Sequence, residues 1–168
     1  YDAQDCLATY GSYTYGYNAA GDLTSKTTTA GTTNYNYDSL RNLRSVTLPT
    51  GTQITYLIDG QNRRVGKAVG GTLTEGFLYQ NQLNPVAETD GQGNVTERFV
   101  YGAKANVPAY LIKGGTTYRI VSDYQGSVRL VINTSTGQIA QQMDYDAFGQ
   151  VTQYTAPGFQ PFGYAGGL

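Results

Sequence analysis

Apolar and polar residues alternate in short runs along this chain. Tyr13, Tyr15 and Tyr17 sit two apart, as do Ile54, Tyr56 and Ile58, Phe77 and Tyr79, and Phe99 and Tyr101. A strand turns successive side chains to opposite faces, so each set falls on one face. Val128, Leu130 and Ile132 alternate with Arg129, Val131 and Asn133 in the same way. No window holds a helical period, and Gly or Pro interrupts most runs within a dozen residues. The exception, Thr32 to Leu48, is rich in Thr, Tyr and Asn, which are poor helix formers. The pattern predicts an all-β fold, a strip of antiparallel β-hairpins.

One sentence recurs within the pattern. Tyr15-Gly16-Tyr17-Asn18 is followed by Tyr35-Asn36-Tyr37-Asp38 and by Tyr56-Leu57-Ile58-Asp59, with first tyrosines 20 and then 21 residues apart. Gly21-Asp22-Leu23 is matched by Arg41-Asn42-Leu43 and more loosely by Asn62-Arg63-Arg64, and Gly31 is matched by Gly51. A fixed period of this length marks repeats that bury their apolar faces on neighbours. Each unit reads as strand, tight turn, strand, second turn. Asn18, Asp38 and Asp59 follow the second apolar residue, where a short Asx side chain can bond the backbone two residues on. They read as turn formers rather than catalysts.

Residues 1–12 form a partial unit, and the clear repeats run from Tyr13 to about Lys67. Pro49-Thr50-Gly51 closes the second repeat. Gly70-Gly71 and Gly114-Gly115 are hairpin signals. Asp90-Gly91-Gln92-Gly93-Asn94 reads as a hairpin loop, and Thr134-Ser135-Thr136-Gly137 as another turn. No polar linker divides the chain, so one continuous sheet is expected.

Composition removes function classes. The 168 residues carry 22 Gly, 16 Tyr and no Trp, enough for a domain with a core. Charged residues are 14% and the net charge is −1, so no basic field exists for a phosphate backbone and nucleic acid is not an expected partner. No apolar stretch approaches 18 residues, so no membrane span is expected. There is no His, which removes the commonest metal ligand and general base and every Ser-His triad. Cys6 stands alone, so no internal disulfide or Cys-based zinc site forms, and it reads as a small hydrophobe. The chain begins at Tyr1 rather than Met and reads as a piece of a longer protein.

Several sharper readings give way to plainer ones. Asp90, Gln92 and Asn94 alternate like calcium-binding oxygens, but no Glu closes the loop, and turn chemistry explains them. Asn94-Val95-Thr96 and Asn133-Thr134-Ser135 fit the glycosylation pattern beside turns. Arg129 is positioned to pair with Asp123 across a corner where Gly126 supplies backbone freedom. Pro157 to Tyr164 is an aromatic, Gly/Pro-rich tail, either disordered or clamped on the sheet. The tyrosine rows read as packing ladders, with sugar binding as the alternative.

The Tyr-x-Tyr-Asp units resemble the YD repeats of bacterial Rhs proteins, insecticidal toxin-complex cocoon proteins and teneurins. Three further motifs follow in the order of the Rhs-associated core. They are Asp123-Tyr124-Gln125-Gly126-Ser127-Val128-Arg129, Tyr145-Asp146-Ala147-Phe148-Gly149, and Pro161-Phe162-Gly163-Tyr164-Ala165-Gly166. The resemblance covers nearly all of Tyr13 to Leu168. It implies YD repeats over 1–122 and the first part of the core over 123–168, continuous with the same sheet. It implies a strip that spirals into a hollow shell around a C-terminal toxin or effector of a polymorphic toxin system. The parent would then be secreted or displayed on a bacterial cell surface. The partners implied are the rest of that shell and its cargo; the alternative is a module binding cell-surface glycan or protein. The family's self-cleaving segment carries Asp-Pro-x-x-Gly-Leu downstream of the Phe-Gly-Tyr-Ala-Gly stretch. Here the sequence stops at Gly166-Gly167-Leu168, so no catalytic Asp is carried over, and no enzyme activity, cofactor or metal is expected. Cut sheet edges are expected to self-associate or to leave flexible ends.

Overall fold

The computed structural model describes residues 1–3 and 5–168. The described residues form fifteen strands: β1 Thr9–Tyr10, β2 Tyr13–Tyr17, β3 Leu23–Thr28, β4 Gly31–Tyr37, β5 Leu43–Thr47, β6 Gln53–Ile58, β7 Arg64–Val69, β8 Thr72–Tyr79, β9 Pro85–Asp90, β10 Val95–Val100, β11 Tyr110–Lys113, β12 Thr116–Ser122, β13 Val128–Asn133, β14 Ile139–Tyr145 and β15 Val151–Tyr154. One 3₁₀ turn follows at Tyr164–Gly166. The all-β expectation holds.

The chain forms two compact units. Unit 1 is Tyr1–Gly76 with Asp90–Gln92, and unit 2 is Phe77–Thr89 with Gly93–Leu168. In unit 1, each strand from β1 to β8 pairs antiparallel with the next. In unit 2, β9 to β15 do the same. Within each unit, space follows sequence because consecutive strands pair as hairpins. Gly70 and Gly71 (φ 58° and 83°) and Gly114 and Gly115 (φ 56° and 77°) take left-handed conformations at two of these turns. Two consecutive positive φ values match the twist of the flanking strands, and glycine adopts them without a steric penalty.

The units differ in how they bury apolar surface. In unit 1, Val46 is the one buried hydrophobic side chain among the described residues. Tyr15, Tyr17, Tyr35, Tyr37 and Tyr56 are half-buried, and cations lie over unit 1 tyrosine rings. Lys26 lies 4.5 Å from the Tyr13 ring centroid, and the Arg64 guanidinium 5.2 Å from that of Tyr56. Unit 2 has a core of Phe99, Val107, Leu111, Ile120, Val128, Val131, Met143 and Phe162, with Tyr101, Tyr118, Tyr145 and Phe159 packed against it.

The alternation over β13 is broken at one point. Val128 and Val131, three apart, are both fully buried, in place of a Val128-Leu130-Ile132 face. Ser122 opposes Val128 while Val121 opposes Leu130, so Arg129 is an extra residue against β12. A bulge of this kind advances the side-chain phase by one and brings Val131 onto the face of Val128.

Candidate functional site

Among the described residues, one corner is built five times. Its loop starts at Asn18, Asp38, Asp59, Asp123 and Asp146. In each copy the side-chain Oδ1 accepts the N–H of the residues two and four positions on. The pairs are Ala20 and Asp22, Leu40 and Asn42, Gln61 and Arg63, Gln125 and Ser127, and Phe148 and Gln150, at 2.8–3.1 Å. The starting residue's own N–H donates to the carbonyl four residues on, and its carbonyl accepts from the residue three on. That third position takes a left-handed φ in every copy: Gly21 81°, Arg41 66°, Asn62 60°, Gly126 96° and Gly149 82°. A short side-chain acceptor at the start and a left-handed residue three on are what this loop requires.

Each corner ends in a bulge. Tyr17, Tyr37, Ile58, Ser122 and Tyr145 oppose Leu23, Leu43, Arg64, Val128 and Val151, leaving Thr24, Arg44, Val65, Arg129 and Thr152 as extra residues. The second aromatic of the repeat is therefore the last paired residue before the loop. The first aromatics, Tyr15, Tyr35 and Tyr56, sit two residues earlier, opposite Lys26, Val46 and Lys67. The core-motif residues Asp123 and Asp146 occupy the same place as the repeat Asx residues, a common geometry that their differing flanks conceal.

Hydrogen bonding sets the electrostatics of these corners. The Asn42 N–H holds the Asp38 carboxyl below the usual range, and the Arg63 side chain does so for Asp59. Asp22 is lowered first by the Asn18 amide and then by Arg41. Arg41 belongs to the next corner, and Asn42 reaches Asn62 of the following one at 3.1 Å. The residues that replace the turn glycine thus stitch neighbouring corners together.

In unit 2 the corners of Asp123 and Asp146 flank a cleft of about 340 Å³ lined by Tyr124, Gln125, Arg129, Tyr145, Ala147 and Tyr164. Arg129 lies 3.9 Å from Asp123 and 3.8 Å from Asp144, and 5.6 Å from the Tyr145 ring centroid. Burial pushes the Tyr145 phenol up to about 12, so it stays protonated at neutral pH. Among the described residues, no three His, Cys, Asp or Glu side chains are grouped to hold a metal. The tips of these corners present Tyr124 and Phe148, 90% and 89% exposed. Asp90 Oδ1, in the Asp90–Asn94 loop, accepts the Gln92 N–H at 2.9 Å, the bond of a turn.

The aromatic tail is clamped on one face of unit 2. Phe162 meets Phe99 edge to face at 5.0 Å, Phe159 meets Tyr118 at 5.1 Å, and Tyr164 meets Tyr145 at 5.6 Å. Gly163 accepts the Val128 N–H, and Ala165 donates to Ser127 Oγ at 3.0 Å. Two glycines are hemmed in: a Cβ on Gly126 would lie 2.6 Å from Asn106 Nδ2, in the connection between β10 and β11, and one on Gly149 would lie 2.7 Å from the Tyr164 ring of the tail. Sequence reasoning missed the ion pair beneath it, in which the carboxylate is buried and the lysine half-buried. Glu97, 3% exposed, takes Lys113 Nζ at 2.5 Å, and desolvation raises its pKa. The available signal was a carboxylate sharing the inward face of β10 with Phe99.

Asx corners thus recur along the antiparallel hairpins of both units, and in unit 2 an aromatic tail packs on the sheet. The chain belongs to the teneurin YD-shell family, whose model matches residues 1–168. It is 31% identical over 137 residues to tRNA nuclease WapA of Bacillus subtilis (strain 168), which covers 80% of this chain and 6% of that protein. It is 28% identical over 141 residues to teneurin-1 of Gallus gallus, covering 80% of this chain and 5% of that one. Among solved structures, the TcdB2-TccC3 complex matches 92% of this chain and 11% of its own with a TM-score of 0.50 at 17% identity. The Photorhabdus luminescens Tc holotoxin pore matches 92% and 10%, with a TM-score of 0.50 at 16% identity. The chain therefore spans a small fraction of the curated relatives it matches.

Proposed function

We propose that this chain is a wall segment of an Rhs/YD-repeat shell that encloses a C-terminal toxin or effector of a polymorphic toxin system. Five copies of one corner carry this reading. A corner that repeats its hydrogen bonds while its other residues drift serves as building material, where geometry matters and identity does not. The corner carboxylates are occupied by backbone N–H groups, and the tyrosine beside the cleft holds its proton. The segment itself is not an enzyme; any chemistry belongs to other parts of the parent. Repeats over 1–122 pass into the core over 123–168. The residues that define the wall are Tyr15, Tyr17, Asn18, Tyr35, Tyr37, Asp38, Tyr56 and Asp59. Those that define its end are Asp123, Gly126, Arg129, Tyr145, Asp146, Phe148, Gly149, Pro161, Phe162, Gly163 and Tyr164.

The partners are the remaining wall and its cargo, in a protein secreted by or displayed on a bacterial cell. Among the described residues, no helix is long and apolar enough to cross a membrane, which leaves strand-built barrels unaddressed. Protease protection of the parent tests the enclosure. The C-terminal domain should resist digestion until Asp38→Ala and Asp59→Ala together open the wall. Equal digestion in both proteins would overturn the reading.

One observation favours a second reading, recognition of a protein at a cell surface. Tyr124 and Phe148 stand exposed on corners that hydrogen bonds hold rigid, as anchor residues do. Glycan stacking on the unit 1 rows has less support, since Lys26 and Arg64 occupy faces of Tyr13 and Tyr56.

A further inference from the structure

Unit 2 has a second face, opposite its core. Side chains alternate along a strand, so the neighbours of Phe99, Leu111, Ile120 and Val131 point away from that core. Register sets them in a row: Val100 opposes Tyr110, Tyr110 opposes Arg119, Arg119 opposes Ile132, and Ile132 opposes Ile139. Residues directly opposed on antiparallel strands share a face. The row therefore crosses β10 to β14 with Arg119 at its centre. Val100, Tyr110 and Ile139 are exposed. Val121 opposes Leu130 in the adjacent row and is exposed as well. Contiguous exposed apolar surface of this kind marks an interaction site.

A cleft of about 220 Å³ opens beside Arg119, with Lys104, Val107, Pro108, Val121 and Ser122 among its walls. Two cations line it and no carboxylate does. The Arg119 guanidinium lies 4.8 Å from the Tyr110 ring centroid, and its Nη1 donates to the Ala109 carbonyl at 3.3 Å. Lys104 Nζ donates to Ser122 Oγ at 3.0 Å and to the carbonyls of Ser122 and Asp123. All of these acceptors are neutral, so they satisfy donors without cancelling charge. Among the described residues, neither cation enters an ion pair. The Asp123 carboxylate is turned to its own corner, where Oδ1 takes the Gln125 and Ser127 N–H groups. Two charges of one sign beside apolar walls concentrate a positive potential in the cleft. The planar fork of an arginine matches a carboxylate in shape.

Size separates the classes of ligand. Small-molecule sites usually enclose about 300–1,000 Å³, and this cleft is smaller, with room for a single side chain. The apolar row continues beyond it, so the ligand extends past the group that enters the cleft.

We infer that this face of unit 2 docks a segment of a partner protein in which one Asp or Glu is flanked by aliphatic side chains. The carboxylate enters the cleft and takes the Arg119 fork, with the charge of Lys104 on another wall. The flanking side chains cover Tyr110, Val121 and Ile139. The surface uses neither Tyr124 nor Phe148, and it stands on unit 2 alone, whether or not the parent wall encloses a cargo.

A phage-displayed library of random peptides, panned against the folded protein, tests this. Enriched peptides should carry an Asp or Glu beside Val, Ile or Leu. A labelled synthetic copy of one should bind at least about tenfold more weakly to Arg119→Gln than to the unaltered protein. The same peptide with its acid replaced by the amide should lose as much against the unaltered protein, a comparison that needs no variant to fold. Tyr124→Ala and Phe148→Ala should bind the acidic peptide unchanged. No enrichment, enriched peptides without an acid, or equal binding to Arg119→Gln would overturn the inference. Displacement by inorganic phosphate at a concentration equal to that of the peptide would also overturn it, by showing a site for small anions. So would a dimer in sedimentation that Arg119→Gln abolishes, which would give the face to a second copy.

Discussion

Arg41 Nη2 lies 2.6 Å from Asp22 Oδ1, joining two corners that are successive in the chain. Arg41 takes a left-handed φ of 66° where the first repeat has Gly21 at 81°. A non-glycine residue there carries strain of roughly 1 kcal/mol. The arginine adds a lateral contact that glycine cannot make. Arg41→Gly should therefore leave Tm nearly unchanged in high salt, where the ion pair is screened, and lower it in low salt. Arg41→Ala keeps the strain and loses the contact, so it should lower Tm in low salt and leave it nearly unchanged in high salt. Thermal melts at two ionic strengths decide this, and a glycine variant less stable than the alanine one contradicts it.

The corner acceptor is replaceable by its isostere. Asn18 fills in one copy the role of Asp38 in the next. Asp38→Asn should melt near the parent temperature, while Asp38→Ala, which leaves the Leu40 and Asn42 N–H groups without that acceptor, should melt lower. Asp22, Asp38 and Asp59 also impose a pH dependence. Their folded pKa values are depressed, so the stability they confer is present above the unfolded value near 4 and drains as pH falls through and below it. An acid titration of Asp38→Asn should lose part of that slope.

Two glycines of one conformation should differ in their tolerance. Gly21 has nothing within 4 Å of an added Cβ, whereas Gly126 has Asn106 Nδ2 at 2.6 Å. Gly21→Ala should cost only the left-handed strain, about 1 kcal/mol. Gly126→Ala should cost distinctly more, since Asn106 also holds the Ala165 carbonyl. Equal costs by denaturant melts would remove the Asn106 contact from the explanation.

Much of this architecture was legible in the sequence. The period-two tyrosines marked the strands, and the Gly-Gly pairs and Asx residues marked the turns. The repeat period also matched Tyr15 with Tyr35 and Tyr56. The identity of the Asp123 and Asp146 loops with the repeat corners was not legible, because it lies in backbone bonds that tolerate Tyr124-Gln125 and Ala147-Phe148 alike. Arg41 and Asn62 read as drift because their partners lie one repeat away. Bulges left no mark, so Val131 was assigned to the wrong face. Glu97 and Lys113 are 16 residues apart and meet only because β10 pairs with β11.

That pair yields opposite outcomes on its two sides. Burial raises the Glu97 pKa, so its ionised form is penalised at neutral pH and stability is gained as pH falls through the raised value. Glu97→Gln should be neutral or stabilising by about 1 kcal/mol at pH 7, with the difference shrinking toward pH 4. Lys113→Ala strands a buried carboxylate and releases the Phe159 carbonyl, and should cost about 3 kcal/mol. Urea melts of both variants across pH check the signs.

Electron cryomicroscopy of the parent protein tests the wall assignment most directly. The account predicts residues 1–168 as successive hairpins of a continuous wall, their Asx corners in register, with density for the C-terminal domain inside the enclosed volume. A C-terminal domain tethered outside, with this segment standing as a separate appendage, would contradict it.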